Sequence, residues 1–149
     1  MSIVEGIVKP ILSKSELMQY FFMREKIDEL KEKLTKKRAA LYSAKTPKLT
    51  GMPRGNDAAS SKIEKDVVEV IDLEKEVETR ERMAERARSR IEVYIAFASR
   101  SEKERKVLTG RCIKCYSFEK TADWIGEGMT ADNARQIFSR HTRREMGTS

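Results

Sequence analysis

The chain has 149 residues, enough for one compact domain or two small ones, and 37% of them are charged against 7% aromatic and three prolines, a profile of long solvated helices rather than of a sheet protein. A net charge of +7 and an isoelectric point near 9.5 favour a polyanionic partner, because phosphates attract clustered Lys and Arg and release counterions on binding. No run approaches the roughly 18 apolar residues of a membrane span, and the N-terminus has neither a basic n-region nor a long apolar h-region, so the sequence predicts a cytoplasmic protein with no membrane partner.

After an apolar start from Ile3 to Leu12, to which the sequence assigns no role, Ser13-Lys-Ser-Glu16 is a capping box that opens a helix to about Ser43. Its Tyr20, Met23, Ile27, Leu30, Leu34 and Leu41 alternate steps of three and four, the spacing of a coiled-coil seam, with Lys37 interrupting the last heptad. The connection at about 44–60 is long, contains Pro and Gly, and is made basic by Lys45, Lys48 and Arg54; it reads as a solvated flexible loop within reach of DNA backbone or a protein partner. A further capping box, Ser61-Lys-Ile-Glu64, opens a second helix that runs to about Ala98.

In that helix Ile63, Val70, Val77, Ala84 and Ile91 keep one heptad position apolar, while Val67, Glu74, Glu81, Arg88 and Ile95 fill the other and mix charge into the seam. At 1.5 Å per residue the two helices are about 45 and 57 Å long, too elongated to form a core separately. They require each other, as an antiparallel hairpin over residues 1–100, and the broken seam is compatible either with a homodimer built through this hairpin or with an intramolecular pair in a monomer.

Residues 101–149 carry a more local signal. Ser101-Glu-Lys-Glu104 is a capping box ahead of an apolar stripe of Val107, Leu108, Cys112 and Cys115. Ser117 caps a short helix whose Phe118, Ala122 and Ile125 share one face, and Trp124 packs at the edge of that stripe. Gly126 and Gly128 break it, Thr130 caps the next helix, and Ala134, Ile137, Phe138 and His141 line its inner side. The whole makes a trihelical unit in which two short helices flank a glycine turn, the arrangement of a helix-turn-helix. The predicted fold is therefore all-α: a long N-terminal antiparallel helical hairpin of coiled-coil type, then a C-terminal trihelical helix-turn-helix.

Asp132, Gln136, Ser139 and Arg143 point away from the inner side of the last helix, flanked by Asn133, Arg140 and Arg144. Set in a major groove, the helix from Thr130 to about Arg144 offers Asn133 and Gln136 as adenine readers and Arg135 for a guanine edge. Thr130, Arg140, Arg143 and Arg144 are phosphate clamps, and Asp132 either accepts from a cytosine amine or favours the helix dipole. The bland reading of the arginines is a solvated helix end complementing the C-terminal dipole.

Cys112-Ile-Lys-Cys115 has the spacing of half a zinc site, but no second pair exists and a structural site needs four ligands. Both thiols read as reduced, small apolar residues facing the trihelical core, and His141 as a semi-buried packing residue. No nucleophile–base–oxyanion set and no phosphate-binding glycine loop is present, so neither enzymatic activity, nor a metal, nor a cofactor is expected.

Thr130-Ala-Asp-Asn-Ala-Arg-Gln-Ile137 resembles the recognition helix of sigma-70 region 4, and Ser117-Phe-Glu-Lys-Thr-Ala122 resembles the helix before it. The chain departs from that pattern at Thr121, Thr142 and Glu145, where apolar residues are more usual, and Glu127-Gly128 resembles a two-residue insertion in the turn. Pro47-Lys-Leu-Thr-Gly-Met-Pro-Arg-Gly55, set between charged helices, resembles the loop of the ArpU/RinA-type phage late-gene regulators. The resemblance covers about residues 15–145 and implies a phage or prophage regulator of late genes in a bacterial host, binding double-stranded DNA, with RNA polymerase as a further partner. Two other classes stay open: an α-helical adaptor that binds polymerase or a phage assembly partner, and a DNA packaging protein of small-terminase type, which would form a ring.

Overall fold

A computed structural model of the protein describes residues 11–45 and 56–147, all of its regular structure being helical. The elements are α1 (Lys14–Leu17), α2 (Gln19–Lys45), α3 (Asn56–Ala98), α4 (Glu102–Leu108), one π-helical turn (Thr109–Ile113), α5 (Phe118–Ile125) and α6 (Ala131–Met146). Residues 3–10 and loop residues 46–55, which include the Gly-Met-Pro-Arg stretch with Lys48 and Arg54, lie outside the described residues. No helix among the described residues is long and apolar enough to cross a membrane.

Two compact units are present. One is Arg24–Met83; the other takes the chain up to Met23 and again from Ala84 onward.

In the Arg24–Met83 unit, Leu30 and Leu34 of α2 are buried against Val70, Leu73 and Val77 of α3, with Leu41 partly buried beside them. Lys31 pairs with Glu81 at 3.0 Å, and Arg38 with Glu74 and Lys37 with Glu69. Early residues of α2 thus meet late residues of this α3 segment, so the two run antiparallel. These ion pairs are solvent-exposed, and pairs of that kind contribute little, about 0–1 kcal/mol each; burial of the leucines and valines holds the unit together.

The expected polar seam is corrected here. Counting from Val70, Val77, Ala84 and Ile91, the second inward position lies three residues on, at Leu73, Ala87 and Tyr94, all buried, with half-buried Arg80 between them. Glu74 and Glu81 therefore sit outside the seam and reach basic residues of α2, and Arg88 pairs with Glu92 on its own helix at 3.0 Å. Arg80 buries part of its stem and carries its guanidinium out to Glu76. The start of α3 is corrected as well: Ser61 lies inside the helix, which begins at Asn56.

In the other unit, Ser13 forms the expected capping box with Glu16, but the helix it opens is interrupted at Met18. The interruption seats Leu17 in the core with no exposed surface and brings the Met18 Sδ to 3.9 Å from the buried Cys112 Sγ. Leu12 and Leu17 join Ile91, Tyr94, Ile95 and Ala98 of α3 in a core completed by Val107, Leu108, Cys112, Ile125, Ala134 and Phe138.

The expected Ser101–Glu104 capping box is half formed. Ser101 Oγ accepts from the Glu104 backbone N–H, but the Glu104 carboxylate bonds the N–H of Arg100, not that of Ser101. After Leu108 the chain widens into a π turn in which Gly110 lies against α5: a Cβ on Gly110 would come within 2.6 Å of Thr121 Cγ2. The turn ends at Ile113, and Cys115 beyond it takes a left-handed conformation with φ 60°. Cys112 thus faces the core as expected, whereas Cys115 is half-buried outside the helical stripe. Burial pushes the Cys112 thiol up to about 12, which keeps it protonated.

Candidate nucleic-acid interface

The candidate site is carried by α6 and set by α5 and the turn between them. Ser117 Oγ accepts from the Lys120 N–H and starts α5, which buries Thr121, Ala122 and Ile125. Gly126, Glu127 and Gly128 then take φ values of 68°, 55° and 78°, and the Met129 N–H closes the turn on the Gly126 carbonyl at 3.0 Å. Glycine adopts positive φ at little cost, so two of the three positions are suited to it and Glu127 bears the strain. Thr130 Oγ1 accepts from the Asn133 N–H at 3.1 Å and caps α6, and Gly147, left-handed at φ 70°, ends it.

α6 buries Ala134, Phe138, His141 and Thr142, with Ile137 half-buried. The opposite side presents Thr130, Asp132, Asn133, Arg135, Gln136, Arg140 and Arg143, all exposed, and Ser139, half-exposed. Asn133, Gln136 and Arg140 line one shallow hollow of about 230 Å³ together with Lys103, Glu127, Gly128, Met129 and Ile137. Among the described residues, none of the three polar side chains from α6 has a hydrogen-bond or ion-pair partner inside the protein. Lys103, which the sequence reading missed, reaches the hollow from the first turn of α4; no local pattern reveals that neighbour, because it depends on how α4 packs on α6.

Four of the expected residues, Thr130, Asp132, Arg135 and Arg144, are engaged within the protein. The Thr130 hydroxyl serves as the α6 cap. Arg135 pairs with Asp132 at 2.7 Å, and its guanidinium lies 5.1 Å from the centre of the Phe118 ring, which also receives Arg111 at 4.3 Å. Arg144 turns inward: its Nη2 donates to the Glu104 carboxylate and, at 3.2 Å, to the carbonyl of Ala98, the last residue of α3.

Glu104 is the centre of a buried polar network that the capping-box reading did not foresee. Its Oε2 accepts from His141 Nδ1 at 2.7 Å as well as from Arg144. A carboxylate only accepts here, so Nδ1 carries the proton, and in the neutral ring Nε2 accepts from the Tyr94 hydroxyl at 2.8 Å. His141 is fully buried, as a packing residue would be, but it also links α3, α4 and α6 by hydrogen bonds. Burial alone would raise the Glu104 carboxyl; hydrogen bonds from Arg144, His141 and the Arg100 N–H outweigh it and hold the group below the ordinary carboxylate value. Burial, with Glu145 nearby, pushes the Tyr94 hydroxyl up to about 12, so it stays protonated.

Among the described residues no three His, Cys, Asp or Glu side chains gather where a metal ion could bind. In comparisons with protein-family models, curated proteins and solved structures, the chain matches none.

Proposed function

We propose that this protein is a sequence-specific DNA-binding transcription regulator in which α5, its glycine turn and α6 act as a helix-turn-helix and α6 reads the major groove. The observation that carries the reading is the outer side of α6. Asn133, Gln136 and Arg140 stand exposed around one hollow, their side chains without a bonding partner among the described residues, on a helix whose other side buries Ala134, Phe138, His141 and Thr142. Asn and Gln bond adenine through two hydrogen bonds at once, and Arg bonds guanine or phosphate, so this set suits direct readout. A net charge of +7 adds the non-specific attraction that brings such a helix to a duplex.

In this reading Asn133 and Gln136 contact bases, Lys103, Arg140 and Arg143 contact phosphates, and Arg144 positions the helix through Glu104. Arg135 reaches a base edge once released from Asp132. The resemblance to sigma-70 region 4 and to ArpU/RinA-type proteins extends the proposal to late-gene control in a phage or prophage, in the host cytoplasm, with RNA polymerase as a second partner. The antiparallel α2–α3 pair is the proposed dimerisation element, since a two-fold dimer sets two reading helices on half-sites about one helical turn apart.

The test is fluorescence anisotropy with labelled duplexes from the gene's own neighbourhood, at two salt concentrations and with random duplex as competitor. One fragment should survive competition, and Gln136→Ala should lower its preference over random duplex roughly tenfold, one lost bidentate contact being worth about 1–3 kcal/mol. Uniform binding to every duplex, or equal losses on specific and random DNA in Gln136→Ala, would refute base readout. A sedimentation mass of two chains fits the dimer; a ring of many chains would favour genome packaging instead.

A further inference from the structure

Away from the outer side of α6, the segment between the π turn and α5 builds a second exposed feature. Trp124 of α5 is 43% exposed, and the Tyr116 ring meets it edge to face, with centres 6.2 Å apart and planes 72° to each other. Two exposed lysines lie over these rings: Lys114 Nζ is 5.0 Å from the Trp124 centre and 5.9 Å from that of Tyr116, and Lys120 Nζ is 4.5 Å from Tyr116. Glu119 and Asp123 share α5 with Lys120, yet among the described residues neither lysine has a carboxylate partner. The face therefore combines an accessible aromatic surface with two cations whose charge the protein does not neutralise.

We infer that the face formed by Lys114, Tyr116, Lys120 and Trp124 docks an acidic peptide segment of a partner protein, with carboxylates on the two lysines and an apolar side chain against Trp124. Its charge selects an anion. Its aromatic part separates the classes of anion. A duplex presents phosphates but keeps its bases stacked, and so offers nothing to an exposed indole. A single strand offers bases, but these stack on open, flat ring faces, whereas here ammonium groups sit over the rings and the two rings stand edge to face. A carboxylate can approach each ammonium from outside while the cation–ring contacts persist. Aromatic residues at the centre of such a contact, with charged neighbours at its rim, are the usual anchors of protein interfaces. The inference stands independently of DNA reading by α6, because none of its four residues takes part in that role.

Trp124 is the chain's single tryptophan, so its emission reports on this face directly. The full-length protein would be titrated with a short synthetic peptide of Asp and Glu flanking a central Leu pair, and separately with a Glu-only peptide of the same length, an oligothymidylate single strand and a random duplex. The Leu-containing peptide should shift the indole emission to the blue and bind at least several-fold more tightly than the Glu-only peptide. In the Lys114→Glu/Lys120→Glu variant, with an unchanged circular dichroism spectrum, its affinity should fall roughly tenfold or more. Three results would overturn the inference: no shift with the peptide at millimolar concentration, a larger shift with the single strand or the duplex, or unaltered peptide affinity in the charge-reversed variant.

Discussion

Replacing Glu104 by Gln preserves shape and removes charge at a buried side chain that accepts from three donors. The carboxylate is 7% exposed and accepts from His141 Nδ1, from Arg144 Nη2 and from the Arg100 N–H. A Gln amide offers one oxygen and one NH2 group, so at least one of these donors then faces another donor. A hydrogen bond to a charged group contributes about 1.5–3 kcal/mol, and a buried donor left unpaired costs a similar amount. Arg144 keeps 26% of its side chain exposed and can recover part of its loss in water. The expected cost is therefore about 2–4 kcal/mol at neutral pH, or a fall in Tm of roughly 5–15 °C for a chain of this size.

Urea unfolding followed by Trp124 emission measures this cost within the same compact unit. The pH dependence separates charge from shape. The folded protein holds the Glu104 carboxyl below its ordinary value of 4.5, so its contribution is full above that value and is lost as pH falls through the lower, folded one. The stability difference between the parent and Glu104→Gln should be largest at neutral pH and close progressively below about pH 4.5. A difference below about 1 kcal/mol at pH 7, or one that stays constant on acidification, would refute the argument.

Gly110→Ala should cost about 1–3 kcal/mol, because the new methyl group would press on fully buried Thr121 at 2.6 Å; unfolding of the double variant with Thr121→Ala should show much of that cost relieved. Leu73→Ala should cost about 2–4 kcal/mol and Glu74→Ala less than about 1 kcal/mol; urea midpoints giving a Leu73→Ala cost as small as that of Glu74→Ala would favour the polar register predicted for α3. Arg143→Ala should weaken binding to specific and random duplexes alike and reduce the slope of log K against log salt by about one unit, as anisotropy at several salt concentrations would show.

Local signals were legible. Ser13, Ser101, Ser117 and Thr130 all stand as N-caps, because a cap is decided by a hydroxyl and the N–H three residues on. Ser61 misled for the complementary reason: the same short pattern also fits inside a helix, and α3 runs straight through it. The inner face of α6 followed from its period, and Thr121 and Thr142 are buried although polar residues give no such signal in the sequence. Thr142 satisfies its hydroxyl on the Ser139 carbonyl, whereas the buried Thr121 Oγ1 has no hydrogen-bond partner among the described residues.

What escaped the sequence reading depended on a second element. The inward register of α3 could lie three or four residues from Val70, and the leucines of α2 decide between them. The π turn after Leu108 gains its position from the closeness of Gly110 to Thr121. Glu104, legible only as a cap, acquires its main partners from residues 37 and 40 positions away.

The fastening of Arg144 to Glu104 and to the end of α3 has a consequence for how the protein can change. The cap, the inner side, the last turn and Arg135 over the Phe118 ring hold α6 in place, and among the described residues no side-chain bond comes from Asn133, Gln136 or Arg140. Those three positions can therefore be exchanged at almost no cost in folding. A library randomised at them would consist mostly of well-folded members differing only in what they present outward, so a new preference could be selected without repairing the scaffold each time.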